Sequence, residues 1–369
     1  MILINNRQRV KKMRNAFFLS MAPVIFTLTP IISQAQDFTF SQFYEMPLLR
    51  NPAMAGLFNS HLQVKMAHRS QWSSITIPFQ TQSLSIEWRK KMGNAFFDHM
   101  TFGAQINNDQ AGDSKLGRIE ILPVFNFHKL VDESSRSFLS FAVMGGIVQS
   151  KFDPTALTFD EQFQNGQFNP SNPSRAFLRQ SSVTHGDLST GLSYRSGSGT
   201  DRNKFYVGAS AFHLLKPKVS FFDNSSVWLK TRYVLNAGVS TEIGEYQNLS
   251  FFGDYITQGG NRQILSGFLF NHIFKNRSSD NMPLDQTGIS VGMAYRWADA
   301  VIPVARLEFR KYTLGFSYDA NISKLKTFTQ ARGGFEITFS FNSFLNLQLQ
   351  HEDTNLQGVL CPKGPVRSW

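Results

Sequence analysis

The feature that most restricts this chain is a period-two alternation of apolar and polar residues, sustained over segments of about ten residues. That is the length at which a tilted strand crosses a bilayer. Met100, Phe102, Ala104 and Ile106 alternate with Thr101, Gly103, Gln105 and Asn107; Tyr312, Leu314, Phe316 and Tyr318 with Thr313, Gly315, Ser317 and Asp319; Phe335, Ile337, Phe339 and Phe341 with Gly334, Glu336, Thr338 and Ser340. Each segment reads as a strand with one greasy face and one wet face. Weaker versions recur around Leu62–Met66, Leu84–Trp88, Ile119–Phe127, Leu139–Ile147, Leu188–Tyr194, Phe205–Ala211, Tyr233–Val239, Leu249–Tyr255, Ile264–Phe270, Ile289–Trp297 and Val301–Phe309. Leu139–Ile147 and Ile264–Phe270 alternate imperfectly. The total is about fourteen, an even number as bacterial barrels require. The expected fold is all-β, a transmembrane outer-membrane β-barrel of antiparallel strands over residues 61–341, and 36 phenylalanines suit a wall whose outer half faces lipid. A secreted sandwich or propeller would also alternate, but a sandwich of this size splits into domains, and no linker rich in Pro, Gly and Ser divides the chain.

The start of the chain implies export. Arg7, Arg9, Lys11, Lys12 and Arg14 precede an apolar stretch from Ala16 to Ile32, and Ser33-Gln34-Ala35 supplies small residues for cleavage. Residues 1–35 are therefore expected to be a signal peptide for Sec-dependent export, with residues 36–60 a periplasmic segment before the barrel and 342–369 a periplasmic tail. Pro23 and Pro30 argue against a retained anchor. Five basic residues lie in that leader, which reduces the formal charge of +11 to +6 for the remainder. The surplus is scattered, so nucleic-acid binding gains no support. A lone Cys361 excludes an internal disulfide framework. With a mean hydropathy of −0.22 and no later apolar run of spanning length, a helical membrane bundle is excluded.

Parity orients the barrel. With an even strand number and both ends in the periplasm, odd-numbered connections lie outside, where loops run longer. The fifth, about Ser150 to Ser182, is the longest; the seventh and thirteenth are also long, and Arg310-Lys311 is a tight even turn. The tenth, Asn276–Asp285, departs from this rule. Phe163, Phe168 and Phe177 in the fifth connection offer aromatic anchors in a polar surface, a combination suited to protein recognition.

Charges in a membrane barrel belong to its lumen. Lys65, Glu87, Arg118, Glu120, Arg306, Glu308 and Glu336 fall on the inward faces, either bracing a narrow pore as a salt-bridge ladder or simply solvated. Chemistry is otherwise sparse. His61, His68, His99, His128, His185, His213, His272 and His351 form no metal-binding or catalytic spacing, no G-x-S-x-G elbow or P-loop occurs, and Gly197-Ser198-Gly199 reads as a hairpin connection. No enzyme activity and no cofactor are expected.

Near the start of the barrel, Phe40-Ser41-Gln42-Phe43-Tyr44-Glu45-Met46-Pro47 leads to Asn51-Pro52-Ala53-Met54-Ala55-Gly56, and Arg69-Ser70-Gln71-Trp72 follows the first strand. Pro78-Phe79-Gln80-Thr81, Asn108-Asp109-Gln110-Ala111-Gly112, Gly334-Phe335-Glu336-Ile337 and Leu360-Cys361-Pro362-Lys363 continue the pattern. In order and spacing these resemble the PorP/SprF family. Gly364 to Trp369 extends past the family's usual ending. The resemblance implies an outer-membrane component of the type IX secretion and gliding machinery, working with an exported surface adhesin or its C-terminal sorting domain and with periplasmic components of the machine. It marks Asn51, Pro52, Ala53, Gly56, Arg69, Gln71 and Trp72 as family positions. Their structural readings stay open beside it: Asn51-Pro52-Ala53 as a turn steering the chain into the wall, Trp72 as an interfacial anchor. A general porin or hydrophobic-solute channel is the competing function.

Overall fold

A computed structural model describes residues 37–343 apart from 59, 73–76, 93–97, 165, 170, 173–179, 198–202, 222–226, 275–286 and 324–331. The expected signal peptide, the residues after 343 with Cys361 and Trp369, the tenth connection, Phe177, and Ser198 and Gly199 lie outside the described residues or fall in these gaps.

Sixteen strands follow in chain order: β1 (Leu62–Gln71), β2 (Phe79–Lys91), β3 (His99–Ala111), β4 (Leu116–Asp132), β5 (Ser137–Lys151), β6 (Phe163–Gln164), β7 (Gln167–Phe168), β8 (Ser182–Ser196), β9 (Asn203–Phe212), β10 (Arg232–Gly244), β11 (Gln247–Gln258), β12 (Asn261–Phe274), β13 (Thr287–Arg296), β14 (Ala300–Phe309), β15 (Tyr312–Asn321) and β16 (Arg332–Ser343). All but β6 and β7 pair with their neighbours into one closed antiparallel barrel of fourteen strands. Every segment expected from alternation forms a strand of this wall. The seam joins β1 to β16 in register from Leu62↔Ser343 to Gln71↔Gly334, so the first strand starts and the last strand ends at the same end of the barrel. Closure leaves no unpaired edge, which is the condition for placing strands in lipid.

The side-chain period fixes which face is which. On β15, Leu314 and Phe316 are about half exposed while Thr313 and Ser317 are buried. On β3, Phe102 points outward and Thr101, Gln105 and Asn107 inward. The short β6–β7 hairpin pairs Phe163 with Phe168 inside the long connection 152–181, and both rings are exposed. That connection leans on the one after β9: the Phe152 and Phe221 rings meet at 4.8 Å, and the Gln180 amide donates to the Ser220 carbonyl. Both long connections leave from the end opposite the seam's Leu62 and Ser343, the end that parity expects to be the outer one.

Several of the expected strands, β5 and β12 among them, carry apolar residues on both faces. Leu265 and Leu269 of β12, and Ala142 and Met144 of β5, are buried inside the barrel, where alternation calls for polar side chains. The reason is what fills the lumen.

Candidate functional site

Residues 37–58 and Ser60 of the expected segment 36–60 do not form a periplasmic stretch ahead of the wall. They lie within the barrel, and the composition explains it: Phe40, Phe43, Tyr44, Met46, Leu48, Met54, Leu57 and Phe58 are all buried, and a segment this apolar would expose a large hydrophobic surface if left in water. Three single turns shape it: Phe43–Glu45, Pro47–Arg50 and Pro52–Met54. Pro47 and Pro52 each open a turn, a position where the missing N–H costs nothing. Asn51 caps the last turn by accepting from the Ala53 N–H at 2.9 Å.

The segment runs from the outer end of the lumen to the inner one. At the outer end Asp37 meets Arg118 at 2.9 Å and His213 Nε2 at 2.5 Å, with Arg232 at 3.5 Å, and its backbone N–H donates to Gln258. Next, the Ser41 hydroxyl donates to Asp319 at 2.5 Å, and Asp319 also receives Arg69 and Arg296. The backbone N–H groups of Ser41 and Gln42 donate to the two carboxylate oxygens of Glu336 at 2.7 and 2.8 Å, and Arg69 reaches the Thr39 carbonyl. Midway, Glu45 pairs with Arg306 at 2.8 Å and with Lys65 at 3.7 Å. Arg50 grips Asp254 with Nε and Nη2, at 2.7 and 2.5 Å, and gives a further bond to the Tyr206 hydroxyl. Toward the inner end the Asn51 amide donates to the Leu192 carbonyl and to Asn236; Asn126 donates to the carbonyls of Ala53 and Ala55; and the Gly56 N–H donates to Glu87 at 2.8 Å. Ser60 then delivers the chain to β1.

Apolar packing fills the space between these bonds. Phe43 and Tyr44 sit against Leu265, Leu269, Ala294, Ile302 and Val304 from three adjacent strands, while Leu48 and Ala55 pack on Leu122, Val124, Met144, Val148 and Val234. The barrel thus holds a packed core like that of a globular protein, with the segment as its centre.

All seven expected inward charges line the lumen. Instead of a ladder of wall-to-wall pairs, most serve the segment: Lys65 and Arg306 hold Glu45, Glu336 and Glu87 accept its backbone N–H groups, and Arg118 holds Asp37 while also pairing with Glu120 at 2.6 Å. Glu308 pairs with Arg306 from the same strand. The family positions divide. Asn51, Pro52, Ala53 and Gly56 belong to the buried segment, and Arg69 clamps it; the Gln71 amide, turned to present its oxygen, accepts from Arg69. Trp72 stands apart at the outer rim, its backbone in the left-handed region (φ 57°) and its ring 4.9 Å from Phe79. Gly56, at φ 79°, has no room for a side chain: a Cβ there would lie 1.9 Å from the Thr101 hydroxyl.

Sequence reasoning missed Asp37, Glu45, Arg50, His213, Asp254 and Asp319 as members of this network. The available signal was the isolated charges Glu45 and Arg50 inside an otherwise apolar stretch, since buried charges demand partners. Among the described residues no group of His, Cys, Asp and Glu is arranged to hold a metal ion. The outer-end pair is the notable electrostatic feature. Burial works against a charge on His213, but the facing carboxylates of Asp37 and Asp187 outweigh it and push its pKa up to about 9.

Residues 32–341, spanning the buried segment and nearly the whole wall, match the family model described as type IX secretion system membrane protein PorP/SprF. The chain belongs to that family. No curated protein matches it. Among solved structures it is similar to BamA from Haemophilus ducreyi lacking POTRA domains 1–3 (9% identity, TM-score 0.38, covering 77% of this chain and 70% of that one). It is also similar to the CymD monoaromatic hydrocarbon channel (11%, 0.41, 81% and 93%) and to CdiB from Acinetobacter baumannii (9%, 0.35, 76% and 60%). At this similarity nothing about the activity of those proteins transfers. The PorP/SprF chain described here is an outer-membrane barrel whose lumen is occupied by its own amino-terminal segment.

Proposed function

We propose that this PorP/SprF protein is a non-enzymatic component of the type IX secretion and gliding machinery, needed for export or surface attachment of a partner adhesin and reached by Sec-dependent export. The observation that carries the reading is the filled lumen. A barrel bonded internally along the length of residues 37–58 is poorly suited to steady diffusion of small solutes, which weakens the porin alternative and leaves the outer loops and the inner rim as working surfaces. Outer loops 152–181 and 213–231, with exposed Phe163, Phe168, Val227 and Trp228, present apolar side chains within a polar surface, the composition of protein-recognition sites. Periplasmic components of the machine are the expected partners at the other end.

Deleting the gene should leave a cognate adhesin unexported or unattached while small-solute uptake stays unchanged. Surface immunolabelling of the adhesin, alongside uptake of a small labelled solute, checks both halves. Normal adhesin display with impaired uptake would return the porin reading.

A further inference from the structure

The outer end of the lumen segment is fastened differently from the rest. Beyond Phe40 the segment is held by apolar packing together with bonds to both backbone and side chains. Asp37 is held by charge: its carboxylate receives Arg118 of β4, His213 just after β9, and Arg232 of β10, with the Gln258 amide of β11 at 3.4 Å. His213 is itself caught between two carboxylates, Asp37 at 2.5 Å on Nε2 and Asp187 of β8 at 2.8 Å on Nδ1. A neutral imidazole carries one N–H and can donate to only one of them; the imidazolium donates to both. The surrounding charges lead to the same state. Arg118 also pairs with Glu120, and Asp254 of β11, which faces Arg232, is neutralised by Arg50. The acidic Asp37, Asp187 and Glu120 are therefore matched by Arg118, Arg232 and His213 only while His213 is protonated. His213 also adopts a left-handed backbone (φ 58°), a cost that its two bonds offset.

Arg118, His213, Arg232 and Gln258 stand at or beside strand ends next to the odd-numbered connections, the same end as loops 152–181 and 213–231, and Asp187 lies in the outer half of β8. We propose that the lumen segment is threaded with its amino-terminal end toward the cell exterior, and that His213, bridging Asp37 to Asp187, is a proton-dependent latch that holds this end in the outer mouth. Removal of the proton leaves the imidazole one N–H for two carboxylates and the cluster one negative charge in excess, so that Asp37, then held by Arg118, Arg232 and Gln258 alone, loosens while the packed remainder, from Phe43 inward, stays in place. The direction of the effect follows from the raised pKa of His213: the latch is fully held below the ordinary histidine range, near pH 6.5, and is lost as pH rises toward about 9. The inference is independent of which partner the barrel serves.

A cysteine inserted between Gln36 and Asp37 of the full chain carrying Cys361→Ser, so that it is the single thiol, tests both parts. On intact cells it should react with an impermeant thiol reagent; reaction only after permeabilisation would overturn the threading direction. In purified protein reconstituted in vesicles, a spin label on that cysteine should be immobilised at pH 6.5 and become several-fold more mobile by pH 10. His213→Gln, which can still donate one bond, should be mobile throughout, and Asp37→Asn should lose the pH dependence. A label equally immobile at both pH values, or unaffected by either substitution, would show that the end is held by packing and that there is no latch.

Discussion

Arg50→Ala should destabilise the folded barrel by about 3–5 kcal/mol, the usual consequence of leaving one partner of a buried ion pair without the other. The Arg50 and Asp254 side chains are 3% and 0% exposed, and the guanidinium carries two bonds to the carboxylate, one to Tyr206, and a stacking contact with the Phe43 ring 5.0 Å away. Truncation strips Asp254 of its counter-charge in a site that water does not reach, and removes a tie between the segment and the wall on β9 and β11. Guanidinium titration of the protein folded in vesicles measures the loss. Replacing both members together with apolar residues, Arg50→Met with Asp254→Leu, should recover most of it, because the cost lies in the stranded charge. An Arg50→Ala protein as stable as the parent would mean the segment is not packed as described.

Gly56→Val should dislodge the inner half of the segment. Two independent penalties coincide there. A β-branched residue at φ 79° is strained by roughly 1–3 kcal/mol, and its Cβ would fall 1.9 Å from the Thr101 hydroxyl and 3.1 Å from the His128 ring, both fixed on the barrel wall. The chain can relieve this only by withdrawing from β3 and β4, which breaks the Gly56 N–H bond to Glu87 and strands that carboxylate. The expected result is a folded, heat-modifiable barrel in which protease cuts near residue 56 that the parent resists. Gly56→Ala should show a weaker form of the same defect, and pairing it with Thr101→Gly, which removes the clashing atoms, should restore protection.

The barrel was legible in the sequence because its wall obeys a simple rule. Lipid outside and polar groups inside produce period-two alternation, and Phe102, Leu314 and Phe316 report it directly. The lumen contents were not legible, for a reason the same rule supplies. Where the segment packs against the wall, inward positions become apolar and the alternation fails, as at Leu265 and Leu269 of β12 or Ala142 and Met144 of β5. Those lapses read as weak strands when they mark the footprint of the segment. The inward charges were identified by parity, but their partners could not be: Glu336 and Ser41 are far apart in the chain, and only the closed barrel brings them together. Asn51-Pro52-Ala53 was correctly a turn, although it steers the chain through the lumen, and Asn51 spends its remaining amide bonds on β8 and β10.

The occupied lumen is the centre of this account, and the conductance of the purified full-length protein in planar bilayers tests it most directly. The bonded and packed segment predicts little stable current, whereas an open barrel of fourteen strands would conduct steadily. Large, persistent open-channel currents from the unmodified protein would contradict it.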